Sequence, residues 1–184
     1  MEIKIGSKAV FIILQVILWI IFIGLAIDGT GLLVKTIATL GLNPENADKF
    51  WKAIDLTNVY QFDESQYVML SSIVIIVIFL KVLLFYSIIR ITLNNNFSMT
   101  TPFNKIFRKF ILTLAYLAVG IGFFSSWGIK IVQALTANGL KLQDIQQLKI
   151  DGAGVWFFMA IILLVIAQIF KRGIELQQEN ELTI

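Results

Sequence analysis

The sequence predicts an all-α integral membrane protein in which four transmembrane helices form a bundle. Two observations lead to this prediction: the composition and four long apolar stretches. Of the 184 residues, 58% are hydrophobic and 15% are charged, and the mean hydropathy is +0.83. Soluble domains are about 45–50% apolar and about 25% charged, and at this size they leave roughly a third of their unfolded surface in water. So much apolar surface belongs in a lipid bilayer, and low-complexity disorder is excluded.

Four stretches have the roughly 20 mostly apolar residues that a helix needs to cross the hydrocarbon core. They cover about residues 9–27, 68–89, 104–128 and 153–171. Residues 1–184 then form a single membrane domain. Because Lys4 and Lys8 precede the first stretch, a cleaved signal peptide is the competing interpretation. Signal peptides have a shorter apolar region of about 7–15 residues and a small-residue cleavage site, so we expect the first span to remain in the protein.

Basic residues gather on one side of the predicted membrane. That side holds the N-terminus, the loop of residues 93–103 and the tail of residues 173–184. The basic residues that flank these segments are Lys4, Lys8, Arg90, Lys105, Arg108, Lys109, Lys171 and Arg172. Short cytoplasmic segments carry an excess of Lys and Arg. Both termini are therefore predicted to be cytoplasmic.

The two predicted outer loops, residues 28–67 and 130–152, are long enough to hold structure of their own. Residues 30–40 show one apolar helical face, and Pro44 suits the first turn of a second short helix. Leu56, Tyr60 and Phe62 have a spacing that weakly indicates a strand, as do apolar residues of the second loop. The two loops together predict a small extracytoplasmic cap. The alternative, two loops that lie separately along the membrane surface, stays open.

The second predicted span contains Lys81, the one ionisable side chain well inside a span. A charge there costs about 2.5–3.5 kcal/mol on insertion scales, so Lys81 is a candidate functional residue. Gln15, Gln168 and Tyr116 are the polar side chains that we consider as its partners within the membrane. The alternative is snorkelling toward the headgroups near Arg90, roughly 13 Å along the helix.

Small residues recur along the third predicted span. Ala118, Gly122 and Ser126 are four residues apart and share one helical face. Because small residues let helices approach closely, we predict a helix-packing seam. A substrate groove along the same face is the alternative.

The composition excludes much enzymatic chemistry. The chain has no Cys and no His, which removes disulfides, thiolate metal sites and the commonest general base. No acidic residue lies in a predicted span, and no nucleotide-binding loop, zinc-protease helix or serine-hydrolase elbow occurs. We therefore expect a protein that is not an enzyme and has no catalytic residue, metal or cofactor.

The cytoplasmic turn before the third span and the tail carry opposite charges. Thr101 and Pro102 fit the N-cap and the first position of a helix. The residues that we expect to form one docking surface are Pro102, Phe103, Arg108, Lys109, Glu175, Leu176, Glu179 and Leu182. The simpler alternative is that the cations set only the topology and the tail is frayed and solvated.

The ending FKRGIELQQENELTI at residues 170–184, together with Pro102-Phe103-Asn104, resembles a bacterial four-span membrane protein family. This family is catalogued as domain of unknown function 2975, and the likeness extends over nearly the whole chain in length and span order. The resemblance implies a bacterial cytoplasmic (inner) membrane. It also implies a regulatory or sensory role, because members are often encoded beside a helix-turn-helix transcription regulator. It implies no catalytic residues.

The leading functional hypothesis is a regulatory membrane protein that binds a cytoplasmic partner such as that regulator. The alternative is a small transporter or immunity-type membrane protein; a transporter would be expected to show broken spans or buried ionisable pairs. Membrane lipid is an expected partner, and a homo-oligomer remains open. Direct nucleic-acid binding is not expected, because anionic lipid competes for basic residues at the headgroups.

Overall fold

The computed structural model describes residues 7–41, 51–93 and 104–181. The helices in this part are α1 Ser7–Gly41, α2 Thr57–Phe62, α3 Glu64–Leu93, α4 Lys105–Ala137 and α5 Ala153–Glu181. All except α2 are long and apolar enough to cross a membrane. The prediction of an all-α protein with four transmembrane helices is confirmed.

The four long helices extend past the predicted spans. They contain 35, 30, 33 and 29 residues, which is about 44 to 53 Å at 1.5 Å per residue. The hydrocarbon core is about 30 Å thick, and an ordinary tilt absorbs little of the difference. α1 therefore includes the helix that was predicted separately for residues 30–40, and α5 continues through Gly173 into the predicted tail.

The glycines of α1 at the predicted end of the first span lie at close contacts. Gly29 is buried, and a Cβ atom on it would lie 2.9 Å from Cγ2 of Ile78 on α3. The indole ring of Trp51 packs directly on Gly31. These glycines therefore allow neighbouring groups to approach the helix, and α1 continues through them without a break.

The long helices pack in chain order, with α1 against α3, α3 against α4 and α4 against α5, while α2 packs against α3. On α3 and α4, Ile73 lies beside Gly128 and Leu80 beside Gly120, so these two helices run antiparallel. Contacts between α1 and α3 and between α4 and α5 follow the same antiparallel register.

One end of the bundle forms a cap, which we define as residues 28–41, 51–78 and 129–152. The apolar core is concentrated there. Its fully buried residues include Leu32, Ile54, Leu56, Val59, Tyr67, Leu70, Val74, Leu148 and Ile150. The Asp55 backbone N–H donates to Oε1 of Gln143 at 3.0 Å, and the Asn58 amide donates to the Lys141 carbonyl at 3.0 Å. The two predicted outer loops thus fold against each other.

The strand spacing in these loops is a wrong prediction. Tyr60 and Phe62 belong to α2, and Leu56 directly precedes it. In the second loop, Gly139 has a φ of 87° and follows the end of α4, a common place for a left-handed glycine. No strand occurs in residues 51–93 or 104–181. Apolar side chains two positions apart can also face one core from a turn, so such short patterns do not specify a strand.

The opposite end of the bundle, which we term the basic end, carries the cationic residues. These are Arg90, Lys105, Arg108, Lys109, Lys171 and Arg172. Between the two ends, α1 and α5 direct large apolar side chains outward, and Ile20, Phe158 and Ile161 are 61–66% exposed. Apolar surface of this extent is suited to lipid rather than to water.

Candidate functional sites

Lys81 on α3 contacts the cap. Its Nζ donates a hydrogen bond to the backbone carbonyl of Lys149 at 2.7 Å and lies 5.5 Å from the ring centroid of Trp156. Helical side chains lean toward the helix N-terminus, so the lysine stem extends toward the cap. It does not extend toward Arg90, the direction considered for snorkelling.

Lys149 joins α1 to α3. Its Nζ lies 3.6 Å from Oδ2 of Asp28 on α1, and its carbonyl accepts the hydrogen bond from Lys81. Its φ is 60°, the only positive φ of a residue other than glycine in the part of the chain that the structure describes. Such a conformation persists where the surroundings hold the residue in place. Lys149 is therefore a fixed connection between two membrane helices and the cap.

The other polar residues considered as partners of Lys81 lie elsewhere. Gln15 is about two turns nearer the basic end than Phe22, which itself contacts the second half of α3. Gln168 is exposed near the basic end of α5, and Tyr116 is 67% exposed. The hydrogen-bond partner of Lys81 is a backbone carbonyl 68 positions away, and no side-chain pattern in the sequence indicates such a partner.

A second charged contact lies inside the cap. Lys35 on α1 is 3% exposed, and its Nζ is 3.5 Å from Oδ1 of Asp55. Burial raises the pKa of Asp55, but hydrogen bonds from the hydroxyl and backbone N–H of Thr57 and the nearby Lys35 ammonium outweigh it. The pKa of this carboxyl is therefore below its ordinary value. This pair could not be identified from the sequence, because its members lie in separate segments of one predicted loop.

The residues of the predicted seam are buried or half-buried on α4. Ala118 is fully buried, Gly122 is buried and Ser126 is half-buried. A Cβ atom on Gly122 would lie 3.1 Å from the ring of Phe157 on α5. At Gly122 the small residue thus allows an aromatic ring of α5 to lie against α4.

The first two turns of α4 carry two of the predicted docking residues, Arg108 and Lys109. The predicted N-cap is corrected, because Asn104 rather than Thr101 caps α4: its side-chain oxygen accepts from the Ile106 N–H at 2.8 Å. An Asn side chain satisfies the free N–H groups of a first turn well. Three other residues of the predicted docking surface lie outside the described residues: Pro102, Phe103 and Leu182.

The predicted tail residues lie on the last turns of α5. Oε1 of Glu175 lies 3.8 Å from Nζ of Lys171 on the same helix. Leu176 is 56% exposed. Glu179 is also exposed, whereas Ile174 is buried. The predicted tail is therefore helical to Glu181 rather than frayed.

The comparisons with known proteins identify a family. Residues 38–184 match the family model described as a protein of unknown function, DUF2975. No curated protein and no solved structure matches the chain. The match includes the end of α1 and all of α2 to α5, which confirms the resemblance seen in the tail. Because it extends over well more than half of the sequence, the chain belongs to the DUF2975 family.

Proposed function

We propose that the protein is a regulatory or sensory protein of the bacterial inner membrane, without enzymatic activity, that binds a cytoplasmic partner at its basic end. A helix-turn-helix transcription regulator is the partner class. The observation that carries this proposal is the end of α5. The ring of Phe170 lies 5.0 Å from that of Phe107, near the start of α4, yet α5 continues to Glu181.

This extension has the character of a docking helix. The residues after Phe170 add about 16 Å of helix at 1.5 Å per residue. Leu176 exposes 56% of its surface there, beside the acidic residues Glu175 and Glu179. An exposed apolar side chain on a charged helix suits a groove on another protein.

The cap supports a sensory role at the other end. α1, α3 and α4 run without a break from the cap to the basic end, so a rigid shift of one helix would reach both ends. An open pocket of about 400 Å³ lies between the start of α3 and the second half of α4, with Asp63, Trp127 and Lys130 in its wall. An aromatic wall with a few polar groups is typical of small-molecule sites.

The experiment is co-purification from native membranes with substitutions on α5. We expect Leu176→Glu to reduce recovery of the regulator about ten-fold, a typical loss for an apolar anchor. Gln178→Glu adds the same charge at a neighbouring exposed position and serves as the matched control. Deletion of residues 175–184 should abolish recovery while the truncated protein still inserts into the membrane.

Two results would overturn the proposal. The first is a truncated protein that inserts normally and retains every partner of the full chain. The second is equal recovery of the regulator with Leu176→Glu and with wild type. A small molecule retained without any protein partner would instead favour the transporter alternative.

A further inference from the structure

A pocket opens between α3 and α4 at the basic end. Its volume is about 260 Å³. The side chains that matter for its chemistry are Tyr86, Arg90, Ile106, Lys109, Phe110 and Thr113. α3 contributes Arg90 in its last turn, and α4 contributes Lys109 soon after its start, so the pocket lies at one level of both helices.

The charge in this pocket favours an anion. Arg90 and Lys109 are both in its wall, and the described residues that line it include no Asp or Glu. A guanidinium can donate two parallel hydrogen bonds to phosphate oxygens, and an ammonium adds a compact charge. Tyr86, which is 50% exposed, adds a phenol hydroxyl as a further donor. Thr113 already donates its hydroxyl to the Lys109 carbonyl at 3.0 Å.

The rest of the wall consists of Ser87, whose hydroxyl already donates to the Leu83 carbonyl at 2.8 Å, and the apolar residues Ile91, Ile106 and Phe110. Ile106 is 57% exposed, and Phe110 lies one turn further along α4. An apolar wall contributes nothing to binding a small hydrated anion, but it suits the glycerol and acyl chains below a headgroup. Basic pockets between transmembrane helices bind anionic headgroups in this manner.

We propose that this pocket binds the phosphate of an anionic phospholipid. Arg90 and Lys109 contact the phosphate, and the acyl chains lie along the outer faces of α3 and α4. The cationic group of a zwitterionic headgroup would be repelled by the second cation, so the site selects lipid with a net negative charge. This inference does not depend on the regulatory role proposed above.

The test is lipid binding by the purified full chain in mild detergent, measured by native mass spectrometry. Phosphatidylglycerol should bind, and phosphatidylcholine should not. With about 1 kcal/mol for each basic residue near an anionic headgroup, Arg90→Gln with Lys109→Gln should weaken phosphatidylglycerol binding about 30-fold. Lys171→Gln with Arg172→Gln removes the same two residue types at the same end and should leave binding within about two-fold.

A second variant serves if the double substitution fails to fold. Ile106→Glu places a negative charge at an exposed position of the pocket wall and should also weaken phosphatidylglycerol binding. The proposal is overturned if the two double variants lose lipid equally or if Ile106→Glu binds as wild type does. It is also overturned if millimolar inorganic phosphate displaces the lipid, since the site would then hold free phosphate.

Discussion

At the scale of single residues, the ammonium group of Lys81 exchanges water for a carbonyl oxygen and an aromatic face. The hydrogen bond to Lys149 is 2.7 Å long, and the ring of Trp156 is within the distance of a cation–π contact. Lys149 is itself held by the carboxylate of Asp28. These contacts connect α1, α3, α5 and the cap at one level of the bundle.

Replacing Lys81 should destabilise the fold. Lys81→Met keeps the length of the side chain but leaves the Lys149 carbonyl without its donor, which costs about 1–3 kcal/mol. The measurement is thermal unfolding of the purified protein in mild detergent. Lys105→Met, at an exposed position of α4, is the control. Equal melting temperatures for the two variants would contradict the role assigned to Lys81.

The Lys35–Asp55 contact gives the cap a pH dependence. The folded-state pKa of Asp55 is below its ordinary value of 3.8, so the unfolded chain binds the proton first as the pH falls. The contribution to stability is therefore present above the ordinary pKa and is lost as the pH falls through the folded pKa. Asp55→Asn should lower the melting temperature at pH 7 and bring it closer to wild type at pH 3.

The exposed residue Asp144 supplies the control for this experiment. Asp144→Asn should melt close to wild type at pH 7. If Asp55→Asn has the same deficit at pH 3 as at pH 7, the deficit comes from packing and the assigned charge contact is refuted.

The residues that the sequence identified are those whose own chemistry is unusual for their place. Lys81 is such a residue, because a charge in an apolar stretch is costly. Its partner and the Lys35–Asp55 pair could not be predicted, since they depend on how distant backbone segments meet. The pattern of Ala118, Gly122 and Ser126 indicated a small-residue face, but Phe157 opposite Gly122 appears only in the fold.

At the scale of elements, helix lengths depend on contacts as much as on local signals. Gly29 and Gly31 follow the predicted end of the first span at residue 27, yet they lie under Ile78 and Trp51 inside a continuous helix. The helical core of each span could be predicted from hydropathy. The ends of each helix could not be predicted. A helical glycine costs only about 1 kcal/mol in intrinsic propensity, and the close packing that it permits can offset that cost.

Two glycines allow the effect of a tight packing contact to be separated from the effect of helix propensity. A Cβ atom on Gly128 would lie 3.1 Å from Cδ1 of Ile150 and 3.2 Å from Cγ2 of Ile73, whereas Gly24 has nothing within 4 Å. Gly128→Leu should therefore destabilise by about 1–3 kcal/mol through overpacking. Gly24→Leu should be neutral or stabilising because leucine is the better helix former. Thermal unfolding of both variants measures the difference in stability. A larger loss of stability for Gly24→Leu would show that the packing around Gly128 tolerates a larger side chain.

At the scale of the whole molecule, hydropathy does not distinguish burial in protein from burial in lipid. The predicted second span covers residues 68–89, yet Leu70, Val74 and Ile78 belong to the core of the cap. The charged contact of Asp28 with Lys149 lies at the boundary between this core and the outward-facing apolar half. The sequence was enough to predict four spans. It was not enough to predict how deep α3 lies in the membrane.

We expect the hydrocarbon core to begin near that boundary. The sequence has no cysteine, so a single introduced cysteine reports its own environment. Val68→Cys, in the cap, should react with a water-soluble maleimide, and Leu83→Cys should not, although Leu83 is the more exposed of the two at 50% against 38%. Protection of both positions would place the first half of α3 in lipid.

In the proposed arrangement, the cap and the end of α5, residues 171–181, lie on opposite sides of the membrane. The direct measurement is cysteine labelling in intact bacterial cells with a membrane-impermeant maleimide, using Gln147→Cys in the cap and Gln178→Cys on α5, both exposed positions. We expect labelling at position 147 in intact cells and at position 178 only after permeabilisation. Labelling of position 178 in intact cells would place the end of α5 outside the cell and contradict the proposed arrangement.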